Sequence, residues 1–265
     1  MAGRQAHSGR QTRCGHGYIR MRTKIIRIAE TDSTNRYLCD LESKDNTDMT
    51  VAVAEFQRAG KGQGGNSWES ERGKNLLFSV LVHPCGMEAS RQFIISMAVS
   101  NAIRRTLAAE TTEVVSIKWP NDIYVGDRKI CGILIENRLA GCRIKDCIIG
   151  IGINVNQTLF LSDAPNPVSL KMIDGRERDK EILLQSVLDN IAAETEALNS
   201  HAADREATES EYKKHLYRRD GYHLYSDSGG EFEARIHGIE PDGHLLLADK
   251  GGNIRRYAFK EVRII

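Results

Sequence analysis

The chain has 265 residues, which is enough for one large domain or for a large domain with a smaller one. Its 37 basic and 36 acidic side chains leave a net charge of +1, so the composition gives no reason to expect nucleic acid or a membrane surface as a partner. Six cysteines without C-x-x-C spacing exclude a zinc site or redox motif of that type, and no residues stand out as metal ligands.

The N-terminal part begins with a segment that cannot build a core. Residues 1–20 contain four arginines and almost no apolar side chains, which predicts a disordered tail, with Met21 as the expected natural start. Neither a signal peptide nor an apolar run of about 18 residues is visible, so we expect a cytoplasmic protein with reduced thiols.

Strands and two long helices follow in the region 21–215. Apolar patterns predict strands over 50–56, 75–83, 114–119 and 147–156, and a hairpin that turns at Gly126 and Asp127. Helical spacing of apolar residues predicts helices over 91–107 and 179–200. This mixture predicts an α/β (α+β) domain with one mixed sheet. After residue 216, short strands separated by glycine-rich turns predict a small C-terminal antiparallel β-barrel over 216–265.

Four segments differ from ordinary core sequence, and each also has a simple structural explanation. The glycine-rich stretch 60–65 could be a hairpin tip, and the glycines of "GIGINVN" (150–156) could serve packing. In "KWPND" (118–122) the aspartate could cap a turn, and the lysine of "DRKICGILIE" (127–136) could be a solvated turn residue. Together they supply a glycine cradle, lysines, a carboxylate and amides, a set that suits activation of an acid by a nucleotide.

These segments, in this order and preceded by "ETDSTN" (30–35), resemble the biotin–protein ligase family, also called biotin–[acetyl-CoA carboxylase] ligases. The resemblance implies the mixed-sheet fold shared with lipoate ligases and class II synthetases. It also implies two half-reactions: biotin and ATP, with Mg2+, form biotinyl-5'-AMP, and a lysine of the biotin carboxyl carrier protein of acetyl-CoA carboxylase then takes the biotin. A monomer or a homodimer is compatible with this interpretation.

The resemblance also implies roles for individual residues. The catalytic group comprises a lysine that bridges the biotin carboxylate and the α-phosphate, a carboxylate that handles the incoming amine, and a basic loop residue: Lys129, Asp122 and Lys61. The residues implied for biotin are Ser33, Thr34, Asn35, Gln57, Gly60, Lys129, Gly132, Gly150 and Gly152. The residues implied for ATP are Lys61, Gly62, Gln63, Trp68, Asn121 and Asn154.

Two departures qualify the resemblance. Many relatives carry a second loop arginine where this chain has Gln63, which predicts a looser hold on the adenylate. The sequence ahead of residue 25 is too short for the DNA-binding helix-turn-helix of bifunctional relatives, so a monofunctional ligase is expected. A ligase for lipoate or another acyl group, and a regulator that binds biotin or nucleotide without transfer, remain the alternatives. Ser33, Thr34 and Gln57 favour biotin because its ureido ring needs both donors and acceptors.

Overall fold

A seven-stranded mixed sheet dominates the computed structural model, which describes residues 21–41, 47–84, 86–162, 164–199 and 202–265. The tail predicted for 1–20 lies outside the described residues. The strand order is β1-β2-β3-β7-β6-β5-β4, and the β1–β2 pair is parallel while the other pairs are antiparallel. The strands are β1 (Thr23–Ile28), β2 (Met49–Ala54), β3 (Leu76–Val82), β4 (Val115–Lys118), β5 (Asp122–Val125), β6 (Arg128–Ala140) and β7 (Arg143–Ile153). The predicted mixed sheet is confirmed.

Helices cover both faces of this sheet. The two long predicted helices are confirmed as α2 (Phe93–Ala108) and α4 (Lys180–Asn199), whose apolar sides share one buried cluster with the strands. On the opposite face, a smaller cluster joins Leu38 to Ala52, Leu81 and Ile148. Leu38 belongs to α1 (Thr34–Asp40), and the remaining helices are α3 (Leu170–Asp174) and α5 (Ala202–Lys214).

Three of these helices were not predicted: α1 and α3 are short, and α5 lacks an apolar stripe. In α5 the buried residues are Thr208 and Tyr212, and its sequence AADREATESEYKK is otherwise polar or small. The Tyr212 hydroxyl donates a buried hydrogen bond to the carbonyl of Pro120, 2.6 Å away. One aromatic anchor and packing against α2 and α4 therefore hold a helix that periodicity alone does not indicate.

The C-terminal residues form a second, antiparallel sheet with the order β11-β10-β9-β8-β12. Its strands are β8 (His223–Asp227), β9 (Gly230–Ile239), β10 (Leu245–Asp249), β11 (Ile254–Tyr257) and β12 (Arg263–Ile264). The small C-terminal β domain is thus present. The exact domain boundary predicted at 215/216 stays a prediction. The N–H of Ile117 in β4 donates to the carbonyl of His215, and the N–H of Tyr217 donates to the carbonyl of Ile117, both at 2.8 Å, so residues on either side of 215/216 contact the large sheet.

The structure also bears on membrane-spanning helices and on the state of the cysteines. None of the helices within the described ranges is long and apolar enough to cross a membrane. The cysteines of the described part, Cys39, Cys131, Cys142 and Cys147, are free thiols. Cys142 is exposed in a turn while Cys147 is buried, and burial raises the pKa of the Cys147 thiol to about 12.

Candidate active site

The candidate site lies on the α1 face of the large sheet. Side chains alternate between the two faces of a strand, so Gly150 and Gly152 share the face of Ile148, which packs against α1. The register places Ser79 of β3 opposite Gly150, and Gly132 of β6 opposite Gly152. Three glycines on adjoining strands leave a shallow groove along this face, because they lack side chains where neighbouring positions carry them.

The indole of Trp68 lies in this groove. A β-carbon on Gly152 would lie 2.5 Å from the Trp68 Cε2 atom, and one on Gly132 would lie 2.8 Å from Cζ3. We expected these glycines to make room for a ligand, but in this structure they make room for Trp68 itself. Within the described residues, the buried indole Nε1 has no hydrogen-bond partner, so a donor is available at the groove.

Hydroxyl and amide groups meet at the end of the groove nearest α1. The backbone N–H of Thr34 donates to Gln57 Oε1 at 2.7 Å. The Ser79 hydroxyl lies 2.6 Å from both Thr34 Oγ1 and Asn35 Oδ1, and Asn35 Nδ2 donates to Glu136 Oε2 at 2.7 Å. Thr34 and Asn35 are 3 and 5 % exposed. Of the three residues that the sequence assigned to the ureido ring, Thr34 and Gln57 are therefore hydrogen-bonded to each other.

The same network shows what the sequence analysis missed. Ser79 is completely buried, and it stands alone as a polar residue in the apolar strand LLFSVLV. A lone hydroxyl in such a run was the available signal. Ser33 is buried at the N-terminal end of α1 without a side-chain capping bond, and Gly150 gives the Asn35 side chain the space that a β-carbon would occupy.

Charged side chains mark the other end of the groove. Lys129, near the start of β6, places its Nζ atom 2.7 Å from the Oδ2 atom of Asp122, the first residue of β5. Both side chains are about one third exposed, at 28 and 31 %. The Lys129 ammonium also lies 5.7 Å from the centre of the Trp68 ring, within cation–π range. The structure thus joins two of the three predicted catalytic residues, Lys129 and Asp122, beside the groove.

The two asparagines assigned to ATP have structural bonds as well. Asn121 Nδ2 donates to the Ile133 carbonyl at 3.0 Å, and Asn154 Nδ2 donates to the Val168 carbonyl at 3.1 Å. Both side chains are buried. Among the described residues the Oδ1 atom of Asn154 has no partner, so an acceptor is available there. Their contact with a nucleotide stays a prediction.

The glycine-rich loop between β2 and β3 is a short hairpin. The Trp68 N–H donates to the Gly60 carbonyl at 2.9 Å, and the Gly62 N–H donates to the Asn66 carbonyl at 2.6 Å. The hairpin thereby aims the indole at the groove. At its tip, Gly64 has a φ of 66°, a left-handed conformation that favours glycine.

Two polar residues of this loop, Lys61 and Gln63, were assigned to ATP. Lys61 is exposed and pairs through its backbone with Ser67, while the side chain of Gln63 lies outside the described structure. Lys260, from the C-terminal sheet region, donates to the Gly64 carbonyl at 2.6 Å. The phosphate contacts of the loop therefore stay predictions.

Known proteins resemble this chain in sequence. Residues 28–154 match the Biotin/lipoate A/B protein ligase family. A biotin–[acetyl-CoA-carboxylase] ligase of Paracoccus denitrificans is 30 % identical over 164 residues, covering 59 % of this chain and 67 % of that protein. The bifunctional ligase/repressor BirA of Bacillus spizizenii is 32 % identical over 162 residues, covering 59 % of this chain and 49 % of BirA. The chain belongs to the biotin/lipoate protein ligase family.

Solved structures support the fold over nearly the whole chain. A mutant biotin protein ligase of Aquifex aeolicus in complex with biotin superposes with a TM-score of 0.72 at 25 % identity, covering 91 % of this chain and 98 % of that one. The Aquifex aeolicus ligase in complex with biotin and ATP gives a TM-score of 0.75 at 24 % identity and supports the fold alone. The chain spans about half the length of the first curated relatives that it matches, the bifunctional BirA proteins.

Proposed function

We propose that this chain ligates biotin to a lysine of a biotin carboxyl carrier protein through a biotinyl-5'-AMP intermediate, with release of pyrophosphate and then AMP. The observation that carries the proposal is the Lys129–Asp122 pair at one end of a glycine groove, whose other end is a network of hydroxyl and amide groups. Membership of the family supports the reaction class, and the Paracoccus relative is named for this activity.

Lys129 suits the first half-reaction. A carboxylate must approach the α-phosphate of ATP, and the two anions repel each other until a cation lies between them. The Lys129 ammonium stands beside the groove and can donate to oxygens of both ligands. The biotin carboxylate oxygen then attacks the α-phosphorus, and pyrophosphate leaves.

Asp122 suits the second half-reaction. An acceptor lysine must lose a proton before its nitrogen can attack the acyl carbon of the adenylate. The Asp122 carboxylate is partly exposed at the same end of the groove, so it can orient the incoming amine and hold its proton as AMP leaves. In this proposal the Lys129–Asp122 ion pair opens during the reaction, because Lys129 contacts the biotin carboxylate and the α-phosphate whereas Asp122 contacts the acceptor amine.

The proposed reaction includes Mg2+, bound to ATP. Within the described ranges, the side chains grouped closely enough to hold a metal ion are Glu240, Asp242 and His244, on the C-terminal sheet. Arg256 already bonds to the first two at 2.6 and 2.7 Å. At the groove, Asp122 is paired with Lys129, so the phosphate oxygens of ATP would carry the ion and Asp122 would be the nearby carboxylate.

The network of hydroxyl and amide groups favours biotin over lipoate. A urea ring offers two N–H donors and one carbonyl acceptor, whereas the dithiolane ring of lipoate offers no strong hydrogen-bonding group. Thr34, Ser79 and Asn35 supply buried donors and acceptors, and the half-buried Gln57 supplies another; they would exchange their mutual bonds for bonds to a urea. An apolar ring can form no such bonds and would gain no hydrogen-bond energy from these groups, so they select for a ring with donors and acceptors.

A labelling assay tests the proposed function. The protein is incubated with ATP, Mg2+ and biotin together with an apo carrier domain, and the carrier is weighed by mass spectrometry. We expect one biotinyl group on the carrier, and none on a carrier whose acceptor lysine is replaced by arginine. Transfer of lipoate in place of biotin would identify a lipoate ligase. Calorimetric binding of biotin without pyrophosphate release or labelling would identify a regulator.

A further inference from the structure

Lys118 is a half-buried lysine for which the proposed reaction has no role. It ends β4 and lies directly opposite Asp122 in the antiparallel register of β4 and β5. Residues paired in this way project from the same face of the sheet. Its Nζ atom donates to the Tyr124 hydroxyl at 3.2 Å and lies 4.9 Å from the centre of that ring. The Lys118 ammonium is therefore held beside the charged end of the groove.

The surroundings of Lys118 combine burial with several charges. Burial lowers the pKa of the Lys118 amine, the positive charges of Lys129 and Arg218 lower it further, and the negative charge of Asp122 opposes the fall. Burial also raises the pKa of the Tyr124 phenol, so the phenol stays protonated and neutral. Asp122 is thus the anion that compensates Lys118, as well as the anion that bonds to Lys129.

Charge balance at this end creates a problem for the first half-reaction. The Lys129–Asp122 pair is neutral as a unit, yet adenylation needs the positive charge of Lys129 on ligand oxygens. When the Lys129 ammonium moves to those oxygens, the Asp122 carboxylate loses its partner at 2.7 Å next to an incoming triphosphate. A carboxylate left without a counter-ion beside an anionic ligand opposes binding and reaction.

We propose that Lys118 is the second counter-ion of Asp122, a positioning residue that compensates this carboxylate while Lys129 is engaged with the biotin carboxylate and the α-phosphate. The inference rests on the proposed function. Lys118 acts through Asp122 and leaves the ligands to Lys129, and its bond to Tyr124 keeps the ammonium in place throughout. A lysine whose role was only to pack against Tyr124 would behave independently of the charge on Asp122.

A double-mutant cycle tests the coupling. Biotinyl-adenylate formation is measured in a single turnover for the wild type, K118M, D122N and K118M/D122N. We expect K118M to slow adenylation about 30-fold in the presence of Asp122, in the range for a charge acting across a short distance. In the D122N background the carboxylate charge is gone, so K118M should slow adenylation less than about threefold. K118R, which keeps the charge, should restore most of the wild-type rate.

Equal losses from K118M in both backgrounds would overturn the proposal and leave Lys118 with a packing role. A D122N variant that forms the adenylate as slowly as K118M would also overturn it, because an uncompensated Asp122 is the obstacle that Lys118 removes. K145M, which changes an exposed lysine on β7 of the same sheet, is the matched control and should leave the rate unchanged. Biotin affinity and thermal unfolding report whether each variant is folded, and K118Q replaces K118M if the latter does not fold.

The wild-type measurement separates the two proposals. A wild-type protein that forms no biotinyl-adenylate refutes the proposed function itself. A wild-type protein that forms the adenylate at the same rate as K118M refutes only the role of Lys118.

Discussion

The two ends of the groove differ in charge and in exposure to water. At the α1 end, the neutral side chains of Thr34, Asn35, Gln57 and Ser79 are hydrogen-bonded to one another, and Asn35 also donates to the carboxylate of Glu136. At the β5–β6 end, Lys129 and Asp122 carry opposite charges and are each about one third exposed. Neutral groups can be buried at low cost once they are hydrogen-bonded, whereas ions need both a partner and some access to water. Under the proposed function, biotin would be recognised at the α1 end, and the two transfer steps would take place at the charged end.

The largest effect is expected from removing the cation at the charged end, Lys129. Lys129→Ala should slow biotinyl-adenylate formation by about 100- to 1,000-fold, the range for a lost charge-stabilising donor in a catalytic site. Biotin affinity should fall much less, because the neutral end is intact. Quenched single-turnover measurements and calorimetry separate the two effects. A near-normal adenylation rate would show that Lys129 is not the catalytic lysine.

The next largest effect is expected from a substitution that obstructs the α1 end of the groove. A β-carbon on Gly150 would collide with Oδ1 of Asn35, so Gly150→Ala should displace the hydrogen-bonded network and weaken biotin binding by roughly 10- to 100-fold. Gly238→Ala is the matched control, because this strand glycine has open space where the β-carbon would stand. Isothermal titration with biotin measures both variants. Unchanged affinity in Gly150→Ala would place biotin elsewhere.

A charge change at Asp122 should divide the two half-reactions. Asp122→Asn keeps the size of the side chain but removes its negative charge, so it should slow transfer to the carrier about 10- to 100-fold while adenylation falls less. Transfer is measured by adding preformed biotinyl-5'-AMP and an apo carrier domain. Equal loss in both half-reactions would reject a separate role for this carboxylate in handling the amine.

The smallest effect concerns the hairpin over the groove. Gln63→Arg adds a cation to the loop and should slow release of biotinyl-adenylate by about two- to fivefold, since an exposed ion pair contributes roughly 1 kcal/mol or less. Release is followed by chasing labelled adenylate with excess unlabelled ligand. An unchanged or faster release would show that position 63 does not control retention of the intermediate.

The sequence predicted more of the fold than of the local contacts. Apolar periodicity predicted α2, α4 and the hairpin of β5 and β6 to within a few residues. It did not predict α5, which packs through one buried tyrosine. Nor did it find the partner of His83, whose Nδ1 lies 2.8 Å from Asp146 Oδ1, because 63 positions separate these residues. Such contacts depend on strand register, which a local pattern does not encode.

By itself, the sequence determined the family, the mixed fold and the residue types of the site, since ordered motifs and apolar patterns are properties of the chain. Only the tertiary structure decided which side chains meet. It placed Trp68 on Gly132 and Gly152, and it joined Ser79 to Thr34 and Asn35 from a distant strand. It also set Lys118 opposite Asp122, because the antiparallel pairing of β4 with β5 places both side chains on the same face of the sheet. Distances between side chains arise from packing and register, and those appear only when the sheet has formed.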